Sequence, residues 1–450
     1  MEFWKNIEEL NNQQINQKTP DSSDKSLSLI DMLDKSAGKS SRRNFLKLFG
    51  FGVSSALLIS ACERPIKKAI PYLVKPEEVT PGKANYYASS FFDGNQYCSI
   101  LYKVRDGRPI KIEGNELSPI TKGGTNSLVQ ASIIGLYDNA RYKVPLKNKK
   151  QVNWQLVDED ITDILNTPAN GKKKVILSST IISPSTKKVI NEFSDKYDVE
   201  HIMYDDYSFS GMREANEKCF GKPVIPDYRF DKANMIISFG ADFLGTWLSP
   251  VEFTKQYTSR RVPEEVEESM SFHMQIESTL SLTGSNADKR VVIRPSEEKY
   301  ILSKFYQYIT QGHVDKEEVF GVKVKKVGDF LLKNKGKSLI VSGSNDPEIQ
   351  SLVNGINYEL GNYGSTIDLS NPVYLKQGDD KAVFNLVKRM NNEEIDTLII
   401  YDSNPAYSLP NSDEFKSGMK KVKHTIALAS EKNETADLCK YVCPDHHMAE

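Results

Sequence analysis

Six short apolar runs, separated by longer stretches with helical spacing, constrain the fold of this chain more than any other feature. The runs lie at residues 174–177, 235–239, 290–293, 338–341, 396–401 and 424–428. Short β-branched runs that alternate with helices are typical of parallel strands buried on both faces. The pattern therefore predicts α/β folding over most of the chain.

Several of these runs end in small or polar residues, and ligands bind at the carboxyl ends of parallel strands. Gly240 and Asp242 follow one run, residues 342–345 end another, and residues 402–405 follow a third. None of these turns has the G-x-G-x-x-G or Gly-Lys-Ser/Thr pattern that holds phosphates. The turns therefore mark a candidate ligand edge without indicating a nucleotide site.

The residues before the first apolar run differ in character. Two alternating runs, 99–104 and 109–113, flank an Asp-Gly pair at 106–107, which is a strong hairpin signal. A helix is predicted over 126–136. We expect three folded regions: a small β-rich domain at 84–146, a first α/β domain at 147–300, and a second, incomplete α/β region at 301–450.

An export signal precedes the folded part. A twin-arginine motif is formed by Arg42, Arg43, Phe45, Leu46 and Lys47. The uncharged stretch after it, 48–61, is shorter than the roughly 20 residues of a membrane-spanning helix. Basic residues followed by a mildly apolar run and small residues are typical of an export signal. We therefore expect the folded part at the periplasmic face of a bacterial cytoplasmic membrane.

Cys62 ends the signal in a context that resembles a lipoprotein cleavage site, so it is a candidate for lipidation. The alternative is a small residue that closes an uncleaved helix. Residues 1–40, rich in Asn, Gln, Ser, Asp and Lys, read as a disordered extension. Residues 63–83 carry four prolines and are predicted to form an extended tether.

The charge balance excludes one class of partner. The chain has 59 basic and 60 acidic residues, which leaves a net charge of -1. This balance gives no electrostatic indication of nucleic-acid binding and no general attraction to anionic lipid. The five cysteines are also too few for a disulfide scaffold in a chain of 450 residues.

Two groups of side chains are candidates for chemistry. Cys439, Cys443, His446 and the neighbouring His447 are soft metal ligands, but their spacing is not that of a zinc knuckle, so a packed strand or turn, or a disulfide after export, stays open. His273 and Glu277 are one helical turn apart, a spacing that suits acid–base chemistry. No third catalytic group accompanies them, which favours a packed or solvated face.

Four segments, in order, resemble the molybdopterin oxidoreductase family. Residues 104–115 resemble its N-terminal hairpin, and residues 130–142 the segment that follows. Residues 277–295 resemble the stretch that leads to its Arg-Pro turn, and residues 399–405 with 434–437 its late Asn-Pro and Glu-Thr-Ala elements. The resemblance covers roughly residues 84–450. It implies a small β-rich domain followed by parallel-sheet α/β domains of this family, truncated at the C-terminus.

The chain departs from the family pattern at both cofactor positions. Active members hold an iron–sulfur cluster with four cysteines in the hairpin domain, where this chain has only Cys98. Their metal ligand comes from a loop that corresponds to residues 204–219, where Ser208, Ser210 and Cys219 stand. With Gly240 and Asp242, Ser208 and Ser210 are candidates for a degenerate pterin site.

One branch of the family fits an exported chain with an empty cluster position, namely subunits of alternative complex III, a bacterial quinol:cytochrome c oxidoreductase. This resemblance implies a cofactor-free scaffold whose partners are integral membrane quinol-oxidising subunits and cytochrome c subunits. It also implies iron–sulfur clusters in a part of the protein beyond Glu450. Two alternatives stay open: an active molybdenum or tungsten bis-pterin oxidoreductase that lacks the proximal cluster, and a lipid-anchored solute-binding module.

Overall fold

The computed structural model describes Thr80, residues 82–262 and residues 270–450. The predicted signal with Arg42, Arg43, Phe45, Leu46 and Lys47, the lipidation candidate Cys62, the extension at 1–40 and most of the tether lie outside these residues. Among the helices of the described residues, none has the length and apolar character needed to cross a membrane.

The described residues form sixteen strands and twelve α-helices. The strands are β1 (Ala84–Phe92), β2 (Tyr97–Arg105), β3 (Arg108–Gly114), β4 (Leu146–Lys147), β5 (Lys150–Gln151), β6 (Lys173–Ser178), β7 (Val199–Met203), β8 (Ile225–Tyr228), β9 (Met235–Phe239), β10 (Phe272–Glu277), β11 (Lys289–Val292), β12 (Ser338–Ser342), β13 (Ile367–Val373), β14 (Ile395–Tyr401), β15 (His424–Leu428) and β16 (Tyr441–Cys443). The helices are α1 (Ser127–Ala131), α2 (Trp154–Asn166), α3 (Pro184–Tyr197), α4 (Ser210–Phe220), α5 (Pro250–Ser259), α6 (Leu282–Ser285), α7 (Glu298–Gln311), α8 (Val324–Lys333), α9 (Pro347–Glu359), α10 (Asp380–Asn391), α11 (Pro405–Ser408) and α12 (Ser412–Met419).

The first three strands form an antiparallel sheet in the order β1-β2-β3. Asp106 and Gly107 connect β2 to β3 with φ angles of 50° and 73°. Positive φ at both central residues is the geometry of a type I′ hairpin turn, so the predicted hairpin is confirmed. The predicted helix is also found, as α1 followed by a 3₁₀ helix over Ser132–Tyr137.

The larger α/β sheet has seven strands in the order β5-β4-β16-β15-β14-β6-β7, and its central strands are parallel. Helices α10 and α12 cover one face through Leu386 and Phe415, and α2 and α3 cover the other through Val157 and Ile190. Burial on both faces explains why β6, β14 and β15 are continuous apolar runs in the sequence.

The second parallel sheet has four strands in the order β11-β10-β9-β12. Its core on one side contains Phe305 of α7 and Leu331 of α8, and on the other side Trp247, which is 1% exposed. All six apolar runs of the sequence are strands, so the predicted α/β fold class is confirmed. The two remaining strands, β8 and β13, form a separate antiparallel pair.

The two α/β sheets are not consecutive along the chain. Strands β6 and β7 come early, β14–β16 come late, and the whole four-stranded sheet lies between them in sequence. The predicted boundary at residue 300 therefore does not coincide with a division between sheets, since β12 pairs with β9 across it. Parallel strands are joined by crossover connections, so sequence order alone does not determine which strands become neighbours.

Candidate functional site

A cleft of about 360 Å³ opens at the carboxyl edge of the seven-stranded sheet, where the loops after β6, β7, β14 and β15 meet. We call it the acidic cleft. Its carboxylates are Asp93, Asp205, Asp206, Asp402 and Glu431, and among the described residues that line it Lys432 alone carries a positive charge. This edge is where parallel sheets bind ligands.

The pKa values of two of these carboxyl groups are raised. Asp205 is 5% exposed, and burial raises its pKa although Thr180 and the backbone N–H of Gly378 donate to its Oδ2. Part of Asp402 stays accessible to water, but desolvation within the cleft raises its pKa to about 6, against the hydrogen bond from Ser179. In both residues the largest cause of the raised pKa is desolvation, which disfavours the charged carboxylate, and for Asp205 the charge of Lys376 acts against it.

A buried lysine lies behind the wall of the acidic cleft. Lys376 is 2% exposed, and its Nζ donates to Asn95 Oδ1 at 2.6 Å and lies 3.6 Å from Asp206 Oδ1. Burial lowers its pKa, while Asp205 and Asp206 act in the opposite direction. The lysine thus holds the β1–β2 turn against the α/β part, and its charge is balanced by protein groups.

The carboxyl edge of the four-stranded sheet is closed. Thr283 donates to Asp242 Oδ1 from its backbone N–H at 2.9 Å and from its hydroxyl at 2.7 Å. Gly240 has a φ of 59°, and a Cβ atom on Gly343 would lie 2.6 Å from the Gly240 carbonyl oxygen. The predicted site residues Gly240 and Asp242 therefore belong to tightly packed loops, which are joined by these hydrogen bonds and by close backbone contact.

A row of polar side chains runs along β10 beneath this closed edge. His273 pairs with Gln275 at 3.2 Å, and Gln275 donates to Glu277 Oε2 at 3.1 Å. Glu277 also forms a salt bridge with Arg290 and accepts from the Ser281 hydroxyl at 2.6 Å. Burial raises the pKa of Glu277, but these donors outweigh it and the pKa lies below its usual range.

His273 is neutral in this row, because burial lowers its pKa to about 4. The helical spacing inferred for His273 and Glu277 is wrong, since both lie on a strand and share one face at a period of two residues. The packed-face interpretation is confirmed: both side chains are less than 5% exposed.

The loops between the two edges are also linked to each other. Ser208 donates to Asp380 Oδ2 at 2.8 Å and accepts from the backbone N–H of Ser210 at 3.0 Å. At the start of α4, Gly211 donates its N–H to Asn345 Oδ1 at 2.8 Å, and a Cβ atom on Gly211 would lie 1.9 Å from the Asn345 carbonyl oxygen. The helix N-terminus, which would attract an anion, is thus occupied by a side chain of the chain itself.

The remaining sequence candidates are not brought together. Cys439 packs in the core beneath α10 and α12, Cys443 packs on the opposite face of the sheet, and both thiols are free. His446 is exposed and lies 3.5 Å from Glu450. Cys219 is exposed and lies near the far end of α4. In the described ranges, no three His, Cys, Asp or Glu side chains form a group that could hold a metal ion.

Comparisons with known proteins give one curated relative and one solved structure of similar fold. No protein-family model matches the chain. It is 23% identical over 394 residues to the molybdopterin-binding-like subunit of a menaquinone reductase from Nitratidesulfovibrio vulgaris, covering 77% of this chain and 56% of that protein. Its fold is similar to acetylene hydratase from Pelobacter acetylenicus, with a TM-score of 0.61, 12% identity, and coverage of 80% of this chain and 63% of the other.

In sequence and in fold, the chain is thus similar to molybdopterin oxidoreductase-like proteins. The match covers 56% of the curated relative, so the chain spans about half of that protein's length.

An iron–sulfur cluster does not fit the hairpin domain of this chain. Cys98 is fully buried, its sulfur donates to the Gly124 carbonyl at 3.1 Å, and burial raises the pKa of the thiol. A Cβ atom on Gly114 would lie 2.0 Å from the Gly123 carbonyl oxygen, so the two backbones are in contact. A cluster needs several thiolates, and Cys98 is the one cysteine of residues 84–146.

A pterin dinucleotide also fits poorly. Its diphosphate requires backbone N–H groups or cationic side chains, whereas the acidic cleft presents five carboxylates and Lys432. At the second edge Asp242 is bonded to Thr283, and between the edges Asn345 occupies the start of α4. Asp402 of the cleft lies in the 402–405 turn that the sequence marked as a ligand edge, whereas Asp205 and Asp206 were missed, because they follow β7, whose mixed residues do not form an apolar run.

Proposed function

We propose that this chain is the scaffold part of a membrane-associated respiratory oxidoreductase of the quinol:cytochrome c type, known as alternative complex III. In this role it binds no molybdenum–pterin and no iron–sulfur cluster in its described residues. It acts at the periplasmic face of the cytoplasmic membrane, and it holds quinol-oxidising membrane subunits and cytochrome c subunits in position.

The observation that carries the proposal is that the chain's own groups fill two of the three expected cofactor positions and that carboxylates line the third. Cys98 lies in a closed apolar core with Val251. Asn345 and Asp380 link the loops where a metal ligand would project, so Ser208 faces a carboxylate at 2.8 Å and not an open cavity. The acidic cleft repels phosphates. An enzyme that depends on these groups would need the opposite arrangement at each position.

The similarity to a menaquinone reductase subunit supports the respiratory setting. Its description as molybdopterin-binding-like is also consistent with a family member that serves a quinone-linked complex. The twin-arginine motif at Arg42 and Arg43 supports export, since this route moves folded proteins. Together these features favour a structural role in a complex over a free-standing enzyme.

The proposal is tested by purifying the tagged full-length protein from membranes with mild detergent. We expect it to elute with integral membrane subunits and c-type cytochromes, and the preparation to transfer electrons from a quinol to cytochrome c. A chain that elutes alone, from the soluble fraction, with oxidoreductase activity of its own would contradict the proposal and favour the active-enzyme alternative.

A further inference from the structure

One carboxylate oxygen in the wall of the acidic cleft lacks a donor. Asp205 is 5% exposed, and its Oδ2 accepts from the Thr180 hydroxyl and from the Gly378 N–H. Neither donor belongs to the lining of the cleft, whereas Asp205 does. Its Oδ1 is buried and has no hydrogen-bond partner among the described residues. Because a buried carboxylate oxygen needs a donor, this atom indicates a ligand that donates to it from the side of the cleft.

The cations at the acidic cleft do not balance its carboxylates. With Lys432 in the lining and the buried Lys376 behind the wall both counted, five carboxylates face two lysines. Burial is the main cause of the raised pKa of Asp402, and the negative charges of Asp445 and Asp93 add to it. The cleft therefore has a negative potential that favours a cationic ligand.

A third cation near the cleft is bound elsewhere. Arg141 donates from both terminal nitrogens to the two carboxylate oxygens of Glu450, each at 2.8 Å. Its pKa is raised chiefly by this partner, and Glu431 of the cleft contributes less. Arg141 is thus committed to Glu450 and leaves the charge of the cleft in place.

An aromatic ring and a hydroxyl complete the lining. Tyr407 is 73% exposed, and the Ser403 Oγ atom is buried without a hydrogen-bond partner in the described part of the chain. A guanidinium group is planar, stacks on aromatic faces and presents five donors, whereas an ammonium group is a compact point charge. The combination of carboxylate, hydroxyl and ring therefore suits a guanidinium group better than an ammonium group.

We propose that the acidic cleft binds a guanidinium group, and that this group is an arginine side chain presented by a partner subunit. The group donates to Asp205 Oδ1, the other carboxylates supply the negative potential, and the Tyr407 ring covers its plane. The cleft of about 360 Å³ receives the end of one such side chain.

The open rim of the cleft favours a partner's side chain over a free ligand. The Asp206 side chain is 51% exposed, and Tyr407 is largely in contact with water. Small-molecule sites enclose most of their ligand, whereas a side chain that projects from a protein surface needs only its end enclosed. The source of the guanidinium group rests on the proposed scaffold function, and the chemistry of the site does not.

The binding test uses the full-length protein purified in mild detergent and three probes. These are a blocked glycine peptide with one arginine, the same peptide with citrulline, and agmatine as a free guanidinium compound. Citrulline has the shape of arginine without its charge. In titration calorimetry at low salt we expect the arginine peptide to bind at least about tenfold more tightly than the citrulline peptide, and its binding to weaken as salt is added.

Three variants make the test specific. Asp205→Asn keeps an acceptor for Thr180 and Gly378 but removes the charge, so it should bind the arginine peptide at least about tenfold more weakly. Asp402→Asn should show a smaller loss, and it carries the test should Asp205→Asn not fold by circular dichroism. Asp198→Asn is the control, because Asp198 lies at the other end of β7 with a side chain that is 91% exposed, and it should bind like the parent.

The source of the guanidinium group is tested on the complex isolated from membranes. Asp205→Asn/Asp402→Asn should release a subunit at a salt concentration at which the parent and Asp198→Asn retain all of theirs. Equal binding of the arginine and citrulline peptides, or unchanged binding in Asp205→Asn and Asp402→Asn, would overturn the guanidinium site. Binding of agmatine without binding of the peptide, and with every subunit retained, would overturn the partner's side chain. A chain that purifies alone from the soluble fraction would contradict the proposed function and leave the peptide result unchanged.

Discussion

The carboxyl edges of the two parallel sheets have the same architectural position but opposite character. At the seven-stranded sheet the loops leave an open cleft in which five carboxylates face one lysine. At the four-stranded sheet the equivalent loops are packed together, and Asp242 and Glu277 are bonded to neighbouring side chains. The two edges therefore present different surroundings to a ligand: the first is open and lined by carboxylates, and the second is filled by the chain's own groups.

The largest effect is expected at the closed edge, from Glu277→Ala. The change removes the carboxylate that binds Arg290 and Ser281 inside the packed loops. Because the partly buried Arg290 guanidinium is then unpaired, the free energy of unfolding should fall by about 3 to 5 kcal/mol. Denaturant unfolding measures the loss. Asp413→Ala is the control, because Asp413 is fully exposed in its pair with Lys416 and its loss should cost less than about 0.5 kcal/mol.

A smaller loss is expected for Asp242→Ala at the same edge. The backbone N–H and the hydroxyl of Thr283 both lose their acceptor, which should reduce the free energy of unfolding by about 2 kcal/mol. Asp242→Asn keeps an acceptor oxygen and should retain most of the stability. Equal, negligible losses in both variants would show that this edge is not held closed by Asp242.

A substitution at the open edge is expected to stabilise the protein, in contrast to those at the closed edge. Asp402→Asn should raise the free energy of unfolding by about 1 kcal/mol at pH 7.5, an amount that allows for the contact of Asp402 with water. The pKa of the Asp402 carboxyl is about 6 in the folded protein and 3.8 in the unfolded chain. The amount by which this carboxylate destabilises the fold therefore grows as the pH rises from 3.8 to 6 and is constant above pH 6.

The measurement for Asp402→Asn is the difference in unfolding free energy between variant and parent from pH 4 to pH 8. Asn is also compatible with the φ of 47° at this position, so no backbone strain is added. A difference that does not change with pH would mean that the carboxylate is well solvated and that the cleft does not hold excess charge.

The smallest effect is expected in the link between the edges, from Ser208→Ala. It removes the 2.8 Å hydrogen bond to Asp380 and should cost about 0.5 to 1 kcal/mol. Ser208 is also one of three residues, with Ser210 and Cys219, that stand in the loop where the family pattern has its metal ligand. The metal content of the purified protein should therefore be the same in the variant, and a loss of bound molybdenum or tungsten would show that the serine is a ligand.

The sequence predicted the elements whose signal is local. Strand β9 was visible because Met235–Phe239 is buried on both faces, and the hairpin because Asp106 and Gly107 tolerate positive φ. Strand β10 was not visible in the sequence. His273, Gln275 and Glu277 form hydrogen bonds with one another inside the fold, and because they are polar they hide the alternation of polar and apolar residues that marks a strand. Polar residues that are paired internally carry no sign of burial in the sequence.

The candidate site was predicted only in outline. Gly240 and Asp242 were placed at a strand end correctly, but their partners Gly343 and Thr283 are brought to them by the tertiary fold. The acidic cleft gathers Asp93 from the hairpin domain with carboxylates that follow β7, β14 and β15. Residues this far apart in sequence meet only through the sheet order, which crossover connections leave undetermined.

The most direct test of the proposed cofactor-free scaffold is the molybdenum, tungsten and pterin content of the full-length protein purified from its native membrane. Elemental analysis and pterin fluorescence after oxidation would be measured per chain, with an active molybdopterin enzyme from the same cells as the positive control. We predict that neither metal nor pterin exceeds background in the chain while the control contains both. Stoichiometric metal with pterin would contradict the scaffold role and establish the chain as an active oxidoreductase.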